Sequence, residues 1–348
     1  MVRVQPTVPA DVAHLLEKDA ELFHFFKQNG QINKNQFLNT LFLNYHNTYF
    51  SMRKEIGQNL IEIAKKSSAT IDDSLLHDLV LYIENKHMTL ESDSKGKVLT
   101  IQINKANNLA YKDFIDTFSN QYASESELFK RLFVSYASLP LNQRERIIFK
   151  TATDKILEAI NLHKKIKITR DNRDRIVSPY SLTTSKEELY NYLLCKDHTH
   201  EGRLMSLRLT FIEHVFILDE DIELDKTDIH YLEKTRLQCP QFVMRPNDEQ
   251  VKVYLTKKGI ANLKKIYTFR PPILEIDEEK QVYTFSCSQS QAERYFTKFG
   301  SEAIVIEPKA LSESIKNELF KAYKDYNEYI KHGLESLKRN KKAHNQSY

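Results

Sequence analysis

The chain has 348 residues, enough for two or three domains that each bury a core of their own. It contains no run of eighteen apolar residues and no signal-peptide layout, which predicts a cytoplasmic protein that is neither secreted nor membrane-spanning. A formal net charge of +4 is too small to indicate nucleic acid by itself, so only local clusters of charge can carry that inference.

A helical segment occurs twice, as NKNQFLNTLFLNY at 33–45 and as SESELFKRLFVSY at 124–136. In both copies the apolar residues recur at helical spacing, and Asn33 or Ser124 stands at the N-cap with a Gln or Glu three positions later. The N-terminus of such a helix suits a phosphate group. Lys34 lies at the start of the first copy and glutamates lie at the start of the second, so we expect the two copies to contribute unequally to any binding of nucleic acid.

Each copy follows a short alternating strand and an amphipathic helix, the strands being VRVQPTV and VLTIQIN. This order resembles the ribbon-helix-helix family, in which two such units pair their strands antiparallel and the ribbon enters the DNA major groove. The resemblance implies that Val2, Val4, Val8, Leu99, Ile101 and Ile103 face the helices. It places Arg3, Gln5, Thr7, Thr100, Gln102 and Asn104 on the outer face, where such side chains can read base edges.

Pro6 removes one N–H from the ladder and predicts an irregular ribbon. A chance arrangement of a strand before two helices is the alternative interpretation. Between the units, RKEIGQNLIEIAKK and SLLHDLVLYIENK predict two further helices, and ESDSKGK predicts a polar connection. From about residue 145, one amphipathic helix is expected to run into alternating strands.

A basic cluster follows that helix: Lys164, Lys165, Lys167, Arg170, Arg173 and Arg175, opposed only by Asp171 and Asp174. Alternation predicts Lys165 and Lys167 on one strand face and Ile166 and Ile168 on the other. A basic face with tyrosines nearby suits phosphate or single-stranded nucleic acid. A solvated edge strand protected by lysines is the alternative.

The segments AINLHKKIKI, RIVSPYSL, LYNYLLC and RLMSLRLTFI, between about 150 and 225, resemble the WYL domain, a small Sm-like β-barrel of bacterial regulators. The family's Trp-Tyr-Leu triplet corresponds to Asn191-Tyr192-Leu193, and its second strand arginine is replaced by Phe211. The resemblance implies a ligand groove for a phosphate-bearing or oligonucleotide ligand. Together with the basic strand, the predicted groove residues are Lys165, Lys167, Arg173, Arg175, Tyr180, Tyr192 and Arg208.

The last third has the predicted order β-α-β-β-α-β with a helix from about Lys309, the pattern of a ferredoxin-like unit. Its phrase YFTKFGSEAIVIEP resembles the C-terminal extension of WYL regulators, which implies dimer contacts. The final KRNKKAHNQSY is a basic polar tail.

Signals of enzymes and cofactors are weak: no Walker A loop, dinucleotide fingerprint or metalloprotease helix motif occurs. Cys195, His198 and His200 could offer metal ligands, but a polar hairpin tip is the better interpretation because no second ligand pair appears at zinc-site spacing. We therefore expect no enzyme activity, no cofactor and no metal.

These patterns predict an α+β protein with three parts. Residues 1–145 form a tandem ribbon-helix-helix module, 146–240 a WYL domain, and 241–340 a ferredoxin-like extension that mediates dimerisation. The expected function is nucleic-acid-binding regulation, with a transcriptional regulator sensing a ligand or oligonucleotide through its WYL domain.

One alternative rests on a longer resemblance. The run from KVLTIQIN through LFVSYASLPLNQRERIIF, with YNYLLC, VYLTKKGI and YFTKFG, is similar to the WYL accessory proteins of type VI RNA-targeting CRISPR loci. It implies an accessory protein that binds single-stranded RNA and modulates the effector. A purely structural adaptor is the third class. The expected partners are accordingly duplex DNA or single-stranded RNA, a CRISPR effector, and a second copy of the chain.

Overall fold

The computed structural model describes residues 2–67, 70–87, 96–118, 124–199, 202–246, 248 and 250–334. The polar connection predicted at ESDSKGK lies mostly outside these residues, as do His200 and the basic tail. The chain divides into two compact units. The first comprises Met1–Thr184, Glu188–Leu193 and Leu207–Ile222, and the second comprises Ser185–Glu187, Leu194–Ser206 and Glu223–Tyr348.

The elements confirm an α+β protein. Up to the first sheet hairpin they are β1 (Arg3–Val4), β2 (Thr7–Val8), α1 (Ala10–Leu22), α2 (Lys34–Lys66), α3 (Asp73–His87), β3 (Lys97–Val98), β4 (Ile101–Gln102), α4 (Asn108–Phe118), α5 (Glu125–Ser138), α6 (Leu141–Ile148), α7 (Lys150–Asn161), β5 (Lys164–Arg170) and β6 (Arg173–Thr184). The remaining elements are β7 (Asn191–Asp197), β8 (Arg203–Arg208), β9 (His214–Asp221), α8 (Lys226–Gln238), β10 (Val251–Leu255), α9 (Lys257–Lys265), β11 (Ile273–Asp277), β12 (Val282–Phe285), α10 (Gln289–Phe296), β13 (Ala303–Glu307) and α11 (Lys309–His332). Single 3₁₀ segments cover Lys105–Asn107, Leu209–Phe211 and Thr297–Glu302.

The two N-terminal strands pair antiparallel with the strands before the second repeat, β1 with β4 and β2 with β3. Pro6 lies between β1 and β2, and its carbonyl accepts a hydrogen bond from the Leu99 amide at 2.9 Å. The ribbon is therefore interrupted where the missing proline N–H predicts an irregularity. Val4, Val8, Ile101 and Ile103 are buried, as the alternation predicts.

One core joins the ribbon to both repeated helices. The first copy contributes Phe37, Leu41, Phe42 and Tyr45, and the second contributes Leu128, Phe129, Leu132, Phe133 and Tyr136, all buried. The predicted N-caps are present: the Asn33 side chain accepts from the Gln36 amide, and the Ser124 hydroxyl accepts from the Glu127 amide, both at 3.2 Å. The repeated segments thus begin and pack alike.

Two helix boundaries differ from the sequence prediction. The segment 53–66 is not a separate helix but the continuation of α2, since no proline lies between it and the first repeat and Gly57 is tolerated inside the helix. Conversely, the single helix expected from about 145 is broken at Phe149, which ends α6 and starts α7. Phe149 leaves helical geometry and packs edge-on against Phe23 at 5.8 Å.

Five strands form the next sheet, in the order β8-β7-β6-β5-β9. The Sm-like barrel was expected to close, but within the part of the chain that the structure describes β8 and β9 are the two edges of an open sheet. Closure requires the edge strands to pair with each other, and here the 3₁₀ segment Leu209–Phe211 connects them instead.

The second unit contains a four-stranded antiparallel sheet in the order β11-β12-β10-β13. Its elements follow the predicted β-α-β-β-α-β order and end in the long helix α11. Gly259 in α9 is required by a close approach, because a Cβ there would lie 2.1 Å from the Glu302 carbonyl oxygen. Tyr295, Phe296 and Phe299 are buried in this unit's core, where the sequence predicts them.

Candidate functional site: a ribbon face and a basic hairpin

The outer face of the ribbon carries the residues that the sequence assigns to base reading. Arg3, Gln5, Thr7, Thr100, Gln102 and Asn104 are all exposed. Gln5 donates a hydrogen bond to the Thr100 hydroxyl at 3.3 Å across the ribbon. The exposed polar groups therefore lie together on one surface.

The start of α2 holds strand β4 in place through two asparagines. Asn35 accepts from the Gln102 amide at 2.8 Å. Asn39 donates to the Gln102 carbonyl at 2.9 Å and accepts from the Asn104 amide at 3.0 Å. These bonds satisfy backbone groups that a two-stranded ribbon would otherwise leave to solvent, and they fix the strand that presents Gln102 and Asn104.

Lys34 forms an ion pair with Glu17 at 2.6 Å. The hydrogen bond from Lys34 is the main cause that holds the pKa of Glu17 below its ordinary value. At the second repeat, Glu125 accepts a hydrogen bond from the Tyr111 hydroxyl at 2.7 Å, and Glu127 pairs with Arg131 at 3.1 Å. Both repeats therefore engage their first-turn charges internally, and neither offers an isolated cation to a phosphate.

The hairpin of β5 and β6 divides the predicted groove residues between two faces. Its two-residue turn, Asp171-Asn172, has positive φ at both positions (51° and 57°), the geometry of a tight hairpin. Lys167 lies opposite Ile176 and Phe216, whereas Ile168 lies opposite Arg175 and Arg170 lies opposite Arg173. Directly opposed residues share a face, so Arg170, Arg173 and Arg175 lie on the face of Ile168 and Lys167 lies on the other.

Lys165 departs from the predicted alternation and is only 5% exposed. The pairing of β5 with β9 shifts between Lys164 and Ile166, and a bulge of this kind re-aims a side chain. Its ammonium pairs with Glu220 at 3.0 Å. Lys167 pairs with Asp174 at 3.2 Å, and hydrogen bonds from Thr169 and Lys167 lower the pKa of that carboxyl. Both lysines are thus occupied by carboxylates.

On the face of Ile168, Arg170 and Arg173 are less compensated than the two lysines. Arg173 is exposed and makes no ion pair with any described residue, while Arg170 pairs with the exposed Asp171 at 3.2 Å. Arg175 and Tyr180 are half-buried. Like charges opposed across a ladder destabilise it unless something anionic lies near them. We call Arg170, Arg173 and Arg175 the arginine face.

Arg208 is stacked on an aromatic ring, with its guanidinium carbon 3.2 Å from the centroid of Tyr190. Its Nε is buried without a hydrogen-bond partner among the described residues. Tyr192, in the predicted triplet, is buried and donates to Glu188 at 2.5 Å. Burial, followed by the contact with Glu188, raises the pKa of Tyr192, so its phenol stays protonated.

A buried carboxylate positions this region. Glu145 of α6 is fully buried and accepts hydrogen bonds from the Asn191 amide at 2.6 Å, the Asn191 side chain at 2.7 Å and the Thr210 hydroxyl at 2.5 Å. The first residue of β7 and the 3₁₀ segment after Arg208 are therefore tied to one helix. A carboxylate that accepts this many bonds is well satisfied without a metal or an ion pair.

Sequence reasoning assigned no site role to three exposed aromatic residues, of which Phe211 is next to Arg208. Phe211 is 37% exposed, and the guanidinium carbons of Arg170 and Arg208 each lie 5.5 Å from its ring centroid. The ring of His24, in the turn after α1, lies 5.3 Å from Phe211, and exposed Phe26 lies 6.2 Å from His24. The run HFF before Asn29-Gly30 was the available signal, since it places aromatic residues next to a predicted turn.

Other features of the described residues give weaker evidence of a functional site. A cavity of about 700 Å³ lies between α2 and α3, lined among others by Phe50, Arg53, Ile61, His77 and Val80, and no predicted site residue lines it. Over the described ranges no group of three His, Cys, Asp or Glu side chains could hold a metal ion. In the same ranges no helix combines the length and the apolar character needed to cross a bilayer.

No protein-family model and no curated protein matches the sequence. The fold is similar to a solved structure described as a CRISPR Cas-related protein, with a TM-score of 0.66 and 18% identity over 94% of this chain and 95% of that chain. Likeness at this level of identity concerns the fold. The proteasome accessory factor B/C (PafBC) of Arthrobacter aurescens aligns at a TM-score of 0.24 and 13% identity, over 91% of this chain and 49% of that chain, too low to support an argument.

Proposed function

We propose that this protein is a nucleic-acid-binding regulator that acts by binding rather than by catalysis, and that its ligand is single-stranded RNA. The observation that carries the proposal is the arginine face with Arg208 beside it. As the sequence resemblance implies, the protein would serve as an accessory factor in the cytoplasm, modulating an RNA-targeting CRISPR effector. The shared fold with a CRISPR Cas-related protein is consistent with this role.

The charges support a flexible polyanion as the ligand. Arg170 and Arg173 oppose each other directly, and Arg175 lies two residues farther along the strand on the same face. Guanidinium groups make paired hydrogen bonds to phosphate oxygens, and single-strand binding combines such charges with aromatic surfaces. Tyr180, Tyr192 and Arg208 lie in the same unit as these arginines.

The test compares binding of single-stranded RNA, single-stranded DNA and duplex DNA of equal length over a range of salt concentrations. We expect a preference for single-stranded RNA, and we expect Arg173→Ala to weaken binding and to reduce the salt slope by about 0.7 for one lost phosphate contact. Lys167→Ala is the matched control, because it removes a cation from the opposite face of the same hairpin. Absence of RNA binding at low salt would refute the proposal.

Duplex DNA is a second candidate ligand, favoured by the six exposed residues on the outer face of the ribbon. In that case the protein would be a transcriptional regulator, with the ribbon in the major groove. Arg3→Ala should then weaken binding of duplex DNA and leave single-stranded RNA binding unchanged, whereas Arg173→Ala should do the reverse. Lys34 is expected to contribute little in either case, because Glu17 already neutralises it.

We further propose that the protein forms a homodimer through helix α11. Among the described residues of α11, Leu311 and Ile315 near its start pack into the core of the second unit. Beyond them the apolar side chains are between 42% and 75% exposed: Leu319, Phe320, Tyr323, Tyr326, Tyr329 and Ile330. Leu319, Tyr323, Tyr326 and Ile330 recur at four, three and four residues, which places them on one helix face.

A second copy of α11 fits this face. Antiparallel pairing about a two-fold axis between Lys324 and Asp325 places Leu319 opposite Ile330 and Tyr323 opposite Tyr326, so each apolar residue meets another. At roughly 200 Å² for each fully exposed large side chain, the four side chains on this face offer roughly 500 Å² per protomer, which is smaller than the roughly 800 Å² per partner of a standard interface. Phe320 and Tyr329 flank the face on either side.

Sedimentation velocity tests the dimer. Tyr326→Glu places a charge in the centre of the paired faces and should give a monomer. Lys321→Glu adds the same charge on the opposite side of the helix and should leave the dimer intact. A monomeric parent protein at micromolar concentration would contradict the proposal, and so would a dimer that Tyr326→Glu leaves unchanged.

A further inference from the structure

Phe211 occupies the position where the WYL resemblance leads one to expect an arginine, and it lies on the surface rather than in a core. It ends the 3₁₀ segment that Glu145 holds through Thr210, so its backbone is fixed. Its ring is 37% exposed and is approached by two guanidinium groups, those of Arg170 and Arg208, at 5.5 Å each. An exposed ring with two cations near it suits a ligand with a flat aromatic part and a negative part.

The turn after α1 extends this aromatic surface. His24 is exposed and has a φ of 61°, a left-handed conformation that is uncommon for a residue other than glycine. This conformation places its imidazole 5.3 Å from the ring of Phe211, at an angle of 32°. Phe26, 43% exposed, follows at 6.2 Å from His24. His24, Phe26 and Phe211 thus form a row of exposed rings, which we call the aromatic row.

The cations beside the aromatic row are held in different ways. Arg208 is stacked on Tyr190 and keeps a buried, unpartnered Nε. Arg170 pairs with Asp171, whose side chain is 76% exposed and whose amide donates to Glu213 at 3.1 Å. The pair between Arg170 and Asp171 is solvent-exposed and therefore weak, so a phosphate can compete for this guanidinium.

We propose that the aromatic row is a base-stacking site for single-stranded RNA, in which a nucleobase stacks on Phe211 while Arg170 and Arg208 contact the flanking phosphates. This inference rests on the proposed function, and it assigns the stacking to residues that lie outside the predicted groove. Every base has a π-face, so stacking of this kind tolerates sequence variation. Stacking contributes binding free energy that persists at salt concentrations where phosphate contacts weaken.

The experiment uses the full-length protein, which contains no tryptophan, so that Phe211→Trp introduces the single indole of the chain at the site. Oligouridylate and an abasic oligonucleotide of the same length and charge are titrated against this variant. We expect the RNA to quench the indole fluorescence and the abasic strand to leave it nearly unchanged. Equal quenching by both strands would overturn base stacking at Phe211.

Affinity measurements provide the second readout. Phe211→Ala and the milder Phe211→Leu should each weaken oligouridylate binding roughly tenfold, the order expected for the loss of one stacked base, and should leave the salt slope as in the parent protein. Phe216→Ala is the matched control, because Phe216 is also exposed and lies near two cations, Lys155 at 5.2 Å and Lys167 at 5.5 Å, on the face of Lys167. Circular dichroism confirms that each variant is folded.

The possible outcomes distinguish a failure of the stacking site from a failure of the proposed function. If the parent protein binds RNA and both Phe211 variants bind it equally well, the stacking site is refuted and the proposed function stands. If Phe216→Ala weakens binding as much as Phe211→Ala does, the stacking is not specific to the aromatic row, and the assignment is likewise refuted. If the parent protein binds no RNA at low salt, both proposals fail together.

Discussion

The helix that begins at Lys34 and the helix that begins at Glu125 place the same pattern of apolar residues into one core. Their equivalent tyrosines, Tyr45 and Tyr136, meet edge-on with centroids 6.1 Å apart and planes at 71°. Outside the core the two helices differ, because α2 continues to Lys66 and binds β4 through asparagines, whereas α5 ends at Ser138. The two repeats thus pack their apolar residues alike and differ in their lengths and polar contacts.

The two equivalent tyrosines also differ in their hydrogen-bond partners. Tyr45 shares a hydrogen bond with the Ser135 hydroxyl at 2.8 Å, a contact between neutral groups. Tyr136 donates to Asp19 at 3.0 Å, and Asp19 is also bound by Arg144 at 2.7 Å and 3.2 Å. Two positions that share one helical pattern therefore depend on polar contacts of different strength.

The largest expected effect is at Asp19. This carboxylate is 1% exposed, so Asp19→Ala leaves the largely buried Arg144 without its carboxylate and should lower the free energy of unfolding by about 3–5 kcal/mol. Ser135→Ala, at the equivalent contact, should cost only about 1 kcal/mol. Urea denaturation of both variants measures the difference. Equal losses would mean that the two tyrosine contacts are equivalent after all.

An intermediate effect is expected at Asn39, which occupies the position that Lys130 occupies in the second repeat. Asn39 is buried and bonds to β4 and Asn107, so Asn39→Ala should destabilise the protein by about 2 kcal/mol. It should also speed hydrogen exchange at the Asn104 amide. Lys130→Ala removes a long, half-exposed contact with Glu127, which Arg131 also pairs with, and should cost less than about 0.5 kcal/mol. A similar loss of stability in both variants would mean that the two repeats do not differ at this position.

The smallest effect concerns pH. Lys34 lowers the pKa of Glu17 from its ordinary value of 4.5, so the ion pair stabilises the fold above that pH and is lost as the pH falls through the lowered value. Lys34→Ala should move the pKa of Glu17 toward 4.5, incompletely because Lys97 remains 3.7 Å away. Carboxyl-detected NMR titration measures the shift. An unchanged pKa in the variant would show that Lys34 does not neutralise Glu17 in solution.

Much of the fold follows from local patterns. Asn33 and Ser124 cap their helices as predicted, the strand alternation at Val4 and Ile101 is correct, and the β-α-β-β-α-β order after Val251 is observed. The expected continuous helix through Phe149 and the closed barrel were wrong. Both depend on contacts between residues far apart in the sequence, which helical spacing and strand alternation do not encode.

The candidate site was less predictable than the fold. Alternation along β5 assigns Lys165 to the surface, but the side chain is buried beside a bulge opposite β9 and pairs with Glu220. The register of β5 with β6 then separates Lys167 from Arg173, which the sequence places in one basic cluster. The predicted roles of Arg173, Arg175, Tyr180, Tyr192 and Arg208 in binding a ligand remain predictions.

The sequence alone determined where the two repeated helices begin, which of their faces are apolar, and that the two segments repeat, because caps and periodicity act over a few residues. Only the tertiary structure decided which charges are neutralised and which rings gather at the surface. His24 and Phe211 lie far apart in the chain and meet because the turn after α1 adopts a left-handed conformation and Glu145 fixes the 3₁₀ segment. Such encounters depend on register and packing, which are properties of the folded chain as a whole.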